Sequence, residues 1–80
     1  MSTAHLDWDK SAGMLRVTFW MSRPVPPGEP FGNGSMLWDR TQHLAINGTL
    51  TPFKRARGLV TIDTPIKTSD QIEVWLEKRP

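Results

Sequence analysis

Two segments of this chain alternate between apolar and polar side chains, and this alternation constrains the fold more than any other feature. In the segment Met14–Met21, the apolar residues at every second position are Leu15, Val17, Phe19 and Met21. In Gln71–Lys78, the corresponding residues are Ile72, Val74 and Leu76. A two-residue period places alternate side chains on opposite faces of a strand. The sequence therefore predicts two β-strands that each bury one face.

Shorter patterns predict a hairpin and a further strand. Residues 5–10 are predicted as a first strand with Leu6 and Trp8 in the core, and the small residues 11–13 turn it back onto the second strand. Leu59–Asp63 is predicted as another strand, which directs two side chains inward, Val60 and Ile62.

A proline- and glycine-rich segment, residues 23–34, follows the second predicted strand. Proline lacks an amide donor and glycine is entropically costly to order, so this segment joins neither a helix nor an interior strand. Val25 and Phe31 are apolar side chains that can fix it to the body of the domain. The sequence leaves open whether the loop is ordered over the sheet or disordered.

The segment Ser35–Ile46 fits two structures. As a helix it has Ser35 as its N-cap and a buried stripe at Leu37, Thr41 and Leu44. As strands, it begins at residues 36–38 and enters a hairpin through residues 44–46. Strands are favoured because threonine, tryptophan, isoleucine and asparagine dilute the helical pattern.

Asn47-Gly48 is the predicted turn of that hairpin. A two-residue turn sets Ile46 opposite Thr49 and leaves Leu50 on the opposite face from Ile46. A three-residue loop brings Leu50 level with Ile46 instead.

Length and composition predict one small domain spanning residues 1–80. A chain of this size has a thin core, and without cysteine it has no disulfide or thiolate–metal site to compensate. We expect no signal peptide and no membrane segment, and hence a cytoplasmic protein or part of an assembled particle. The formal charge of +2 does not by itself indicate a nucleic-acid or membrane partner.

No catalytic, cofactor or metal motif is present in the sequence. His5, Asp7 and Asp9 share one face of the first predicted strand, where carboxylates and imidazole could bind a metal. A solvent-facing strand surface explains the same pattern. His43 follows Asp39 at a helical spacing, but no nucleophile accompanies the pair. We therefore expect a non-enzyme without cofactor or metal.

A basic stretch in the middle of the chain is the alternative binding site. The chain has no acidic residue between Asp39 and Asp63. Cations beside an aromatic residue suit phosphate neutralisation and base stacking, which predicts nucleic-acid contacts. The residues predicted for this role are Phe53, Lys54, Arg55, Arg57 and Arg40. A basic loop that protects a strand edge, or that meets an acidic protein, explains the same residues.

Aromatic side chains on otherwise polar faces are the leading functional feature. Trp20 and Trp75 each lie among polar residues of an alternating strand, and Trp38 and Phe31 add to the aromatic set. Either the proline-rich loop covers the tryptophans or a partner does. Exposed aromatic patches on small domains mark protein contacts. These four residues are the predicted protein-binding site.

The sequence as a whole predicts an all-β domain, a small antiparallel sandwich or barrel of five to six strands with one long Pro/Gly-rich loop. The predicted function is a non-catalytic binding or structural subunit that contacts another protein or copies of itself, such as a phage or virus accessory protein. The alternative is a small nucleic-acid-binding β-barrel that uses the basic stretch.

Overall fold

The computed structural model describes residues 4–35 and 37–77 and confirms the all-β prediction. Its strands are β1 (His5–Asp9), β2 (Met14–Phe19), β3 (Thr41–Ile46), β4 (Thr49–Leu50), β5 (Lys54–Ala56), β6 (Leu59–Thr61) and β7 (Ile72–Leu76). A short 3-10 turn, Trp38–Arg40, precedes β3. No helix in the described ranges is long and apolar enough to cross a membrane.

The described strands form two antiparallel sheets. The larger sheet has the order β1-β2-β7-β3-β4, and the smaller one is the β5-β6 hairpin. The last strand of the chain therefore lies at the centre of the large sheet, between partners from distant parts of the sequence. β1 and β4 lie at its two ends and do not pair with each other, so the described strands form no closed barrel.

The alternating pattern of β7 sets the inner face of the large sheet. Val74 lies opposite Val17 of β2 and Leu44 of β3, so the apolar sets of three strands coincide. Ile72 and Val74 are almost completely buried. The strand β2, predicted to bury the same face, is only partly buried, at Leu15, Val17 and Phe19.

A second layer covers the centre of this inner face. Val60 and Ile62 point inward as predicted and are joined by Ile66. The proline-rich loop completes the layer through Val25 and Phe31, both buried. These two residues fix the loop to the body of the domain. Of the two alternatives left open by the sequence, the loop is therefore ordered over the sheet rather than disordered.

Backbone hydrogen bonds hold the loop in this layer. The amides of Val25 and Ile66 each donate to the other residue's carbonyl, both at 2.9 Å. Phe31 and Val60 exchange the same pair of bonds at 2.8 and 2.7 Å. The loop is therefore ordered because its backbone pairs at both apolar residues, although it forms no regular strand.

The segment Ser35–Ile46 is a turn followed by a strand. The Leu37 amide donates to Ser35 Oγ at 3.1 Å and the Trp38 amide donates to the Ser35 carbonyl at 3.1 Å, which closes a tight turn. The prediction that a strand begins at residues 36–38 is wrong at Trp38, which lies in the 3-10 turn, and Met36 lies outside the described residues. The predicted strand is confirmed from Thr41 onward.

The hairpin β3–β4 uses the two-residue turn. Asn47 and Gly48 have φ angles of +52° and +83°, and Ile46 lies opposite Thr49. Leu50 is consequently opposite Ala45, on the outer face of the sheet, where it is 69% exposed.

The prediction that Leu6 and Trp8 lie in the core is wrong. Both face the inner side of the sheet, since Leu6 lies opposite Val17 and Trp8 opposite Leu15. They nevertheless remain 59% and 46% exposed, because the second layer does not extend over β1. The strand pattern gave the correct face, but within residues 4–35 and 37–77 the second layer does not extend over that face at this end.

Candidate functional site

An open apolar groove lies at the uncovered end of the inner face, and we call it the β1 groove. It has a volume of about 320 Å³. Its lining consists of Ala4, Leu6, Leu15, Val17, Asn33, Leu37, Trp38, Val74 and Leu76. Leu37, which forms part of its rim, is 53% exposed. An apolar groove at a sheet edge is one form that a protein-interaction site takes.

One wall of the β1 groove is built on Trp38. Its indole packs edge-to-face on Phe19 at 5.5 Å between ring centroids and on Phe31 at 6.1 Å, each with an interplanar angle of 82°. Such edge-to-face pairs add to the energy of simple burial. The core therefore holds this wall in place while the neighbouring Leu37 stays exposed.

The β5–β6 hairpin supports the same wall from behind. The Gly58 amide donates to the Asp39 carboxylate at 2.9 Å, and the Gly34 amide donates to the Gly58 carbonyl at 3.1 Å. Gly58 has φ +77°, and a Cβ at this position would overlap the carbonyl group of Gly34. Only glycine permits this backbone approach.

The outer face beside β1 is polar and internally paired. Arg16 forms a two-pronged ion pair with Asp7, at 3.1 Å from Nε and 2.6 Å from Nη2, and its Nη1 lies 3.7 Å from Glu73. The hydrogen bond from Arg16 lowers the pKa of Asp7. This pair fixes the carboxylate of the central β1 residue on its own molecule.

Asp9 ends β1 and also anchors Trp75. It accepts the Ser11 hydroxyl at 2.7 Å, the amides of Ser11 and Ala12, and the Trp75 indole N–H at 2.9 Å. These donors, the Ser11 hydroxyl above all, lower the pKa of Asp9 to about 2. The predicted turn at residues 11–13 is thus closed by a side chain of the preceding strand.

Three of the four residues predicted for protein binding, Trp20, Phe31 and Trp38, line one depression, whereas Trp75 lies elsewhere. Phe31 is buried at 4% exposure, and Trp38 is held between it and Phe19. Trp75 lies on the outer face between Arg16 and His43, on the side away from the proline-rich loop. Trp20 is 37% exposed and borders the depression that it shares with Phe31 and Trp38, next to Met21 and Ser22. Of these four, Trp38 lines the β1 groove.

Three of the four cations predicted for nucleic acid lie on the β5–β6 hairpin, and Arg40 lies in the 3-10 turn that contacts it. The Arg55 guanidinium donates to the Thr41 carbonyl, and Arg40 Nε donates to the Glu77 carbonyl at 3.1 Å. Lys54 and Arg57 are exposed on the β5–β6 hairpin, and Phe53 packs partly against the core. Two of the four cations therefore bind backbone carbonyls of the chain itself, and nucleic-acid binding stays a prediction.

The imidazole and carboxylate groups do not assemble into a centre. His5 and His43 are three strands apart in the sheet, about 14 Å at the usual spacing. Within residues 4–35 and 37–77, no group of three or more such side chains is placed to hold a metal ion. Asp7 and Asp9 serve the ion pair and the turn described above.

Sequence reasoning missed Leu6, Trp8 and Leu37 as surface residues. An apolar pattern on one strand face is the same for a covered and an uncovered strand, so the pattern carried no signal for exposure. Comparison with known proteins adds no constraint: no family model, curated protein or solved structure matches this chain.

Proposed function

We propose that this chain is a non-catalytic protein-binding subunit whose contact surface is the β1 groove. The observation that supports the proposal is the exposure of Leu6 and Leu37, which line an apolar depression at a sheet edge. A partner that fills this depression removes apolar surface from water, at roughly 25 cal/mol per Å². It also meets the edge strand β1, which pairs with β2 alone in the part of the chain that the structure describes.

The geometry favours an extended segment as the bound element. The β1 groove runs beside an edge strand, and strand addition combines backbone hydrogen bonds with pockets for alternate side chains. Trp38 forms a wall fixed by aromatic packing, so the groove is present before binding. A preformed site avoids the cost of ordering flexible side chains on association.

The proposal is tested by selecting short linear peptides from a display library on the wild-type chain at low concentration. Peptides selected in this way should lose at least about tenfold in affinity on the variants Leu6→Glu and Leu37→Glu. The control is Leu50→Glu, because Leu50 is equally apolar and 69% exposed but lies on the outer face at the other edge. Equal binding to all three variants would contradict the proposal.

A further inference from the structure

The edge strand β1 is complementary to itself when two copies run antiparallel. Its sequence is His5-Leu6-Asp7-Trp8-Asp9. With Asp7 at the centre, Leu6 meets Trp8 of the second copy and His5 meets Asp9. Two-fold symmetry repeats each of these pairs, so two apolar pairs form on the inner face and two acid–imidazole pairs form on the outer face.

We propose that the partner at the β1 groove is a second copy of this chain, bound through antiparallel pairing of the two β1 strands about a two-fold axis at Asp7. The pairing joins two five-stranded sheets into one continuous sheet. This inference rests on the proposed function, because the exposed inner-face residues of β1 become the centre of the interface.

The two edges of the large sheet differ in their suitability for pairing. β1 is five residues long and contains no proline or glycine. β4 is two residues long, and Pro52 follows it shortly. Short strands and proline protect an edge from pairing with another chain. Within the described residues, β1 pairs on one side only, with β2, so it is the long edge open to a partner.

Symmetry limits the registers that are available. The two-fold axis is perpendicular to the sheet, so opposing residues come from the same face of each copy. A register centred on Trp8 sets Asp7 opposite Asp9, which brings like charges together. A register centred on Leu6 leaves Asp9 beyond the paired residues. The register centred on Asp7 pairs all five residues of β1 and matches each apolar residue with another.

The central pair of aspartates is neutralised within each copy. Each Asp7 is held by Arg16 of its own chain at 2.6 and 3.1 Å, so two ion pairs rather than two bare carboxylates meet at the axis. Asp9 is also fixed, by Ser11 and Trp75, on the face where His5 of the second copy arrives. The outer-face charges are therefore positioned before association.

Sedimentation equilibrium of the full chain over a range of concentrations tests the inference. The wild type should show a reversible monomer–dimer equilibrium. His5→Glu places two like-charged pairs across the axis and should weaken the dimer by about tenfold. The matched variant His5→Lys sets opposite charges across the axis and should leave the dimer at least as tight as the wild type. His5 is exposed, so neither change disturbs the fold.

A cross-linking experiment tests the register itself. The chain has no cysteine, so Asp7→Cys introduces a single thiol, which the two-fold axis places opposite its own copy. Opposed Cα atoms in antiparallel strands are about 4.5–5.5 Å apart, within the range for a disulfide. Oxidation should give a dimer rapidly. The control Thr49→Cys, exposed at the other edge, should remain largely monomeric under the same conditions.

The outcomes separate this inference from the proposed function. A wild type that stays monomeric at its highest soluble concentration overturns the inference, and peptides that still bind the β1 groove then leave the proposed function standing. A dimer that responds equally to His5→Glu and His5→Lys, with no preference for the cross-link at position 7, also overturns it. If peptides additionally ignore Leu6→Glu and Leu37→Glu, the proposed function fails as well.

Discussion

Two regions of the inner sheet face, the central strand β7 and the edge strand β1, have the same alternating sequence pattern but different environments. On β7, Ile72 and Val74 lie under the second layer and are at most 2% exposed. On β1, Leu6 faces the same side and is 59% exposed. Alternation therefore determines which way a side chain points, whereas a distant segment determines whether anything covers it. The covered centre stabilises the fold, and the exposed edge strand is the surface that we propose for binding.

The largest expected effect is in the covered centre of the sheet. Ile72→Ala removes buried methyl groups under the second layer and should lower the free energy of unfolding by about 2–5 kcal/mol. Leu6→Ala on the isolated monomer should change it by less than about 1 kcal/mol, because the side chain is largely in water. Chemical denaturation of both variants at low protein concentration gives the comparison. Similar losses of stability in the two variants would contradict the contrast between the central strand β7 and the edge strand β1.

A glycine-to-alanine change should likewise cost more stability in a turn of the covered region than in the β1–β2 turn. Gly58→Ala places a Cβ against the Gly34 backbone at a positive φ and should cost about 2–4 kcal/mol. Gly13, in the β1–β2 turn, has φ +67° and open space where a Cβ would lie, so Gly13→Ala should cost only about 1 kcal/mol. Both glycines have a positive φ, so comparing the thermal unfolding of the two variants separates the cost of the close contact from the cost of the backbone conformation. Equal losses of stability would show that the contact with Gly34 contributes little.

A smaller effect is expected at Thr41, which is completely buried in the covered region. Its Oγ1 has no hydrogen-bond partner among the described residues. Thr41→Val removes the hydroxyl at similar volume and should raise the free energy of unfolding by up to about 1 kcal/mol. Thr41→Ser, which keeps the hydroxyl and removes the methyl group, is the control and should destabilise. A loss of stability in the valine variant would show that the hydroxyl is satisfied in solution.

The acid sensitivity of the β1 end should depend on Asp9. Its pKa is lowered from 3.8 to about 2, so the charged form contributes stability above pH ~4 that is lost as the pH falls toward 2. Asp9→Asn keeps an acceptor oxygen without titrating, so stability should fall less steeply between these pH values than in the wild type. Asp7 and Asp70, whose pKa values are also lowered, still titrate in the Asp9→Asn variant, so part of the fall in stability with pH remains.

Unfolding of the wild type and Asp9→Asn at several pH values measures this effect. Trp75→Phe removes the indole donor to Asp9 while keeping an aromatic ring, and it should give an intermediate slope. Identical slopes in all three proteins would indicate that the contacts of Asp9 do not persist in solution.

Sequence patterns predicted the core strands better than the site. Val60, Ile62 and Val74 are buried as expected because their period and their β-branched side chains both favour a strand interior. The order of the strands was not predictable, since β7 pairs with β2 and β3 across long separations in sequence. The candidate site depends on that order, because only the order makes β1 an edge.

The proline-rich loop illustrates the same limit. Its composition excluded a helix, and its two apolar residues indicated where it could attach, but only the pairing of Val25 with Ile66 and of Phe31 with Val60 makes it a layer. The basic stretch shows the same limit, because the Arg55 guanidinium donates a hydrogen bond to the carbonyl of Thr41, which is distant in sequence. Local composition does not specify such partners.

The strand faces, the turn residues and the all-β class can be read from the amino-acid sequence alone, because they follow from backbone sterics and from a side-chain period set by neighbours in the chain. Three other properties emerge only in the folded chain: which part of the inner face is covered, which strand lies at the edge, and which aromatic side chains reach the surface. Those properties depend on contacts between segments far apart in sequence, and a local pattern is the same whether or not such a contact forms.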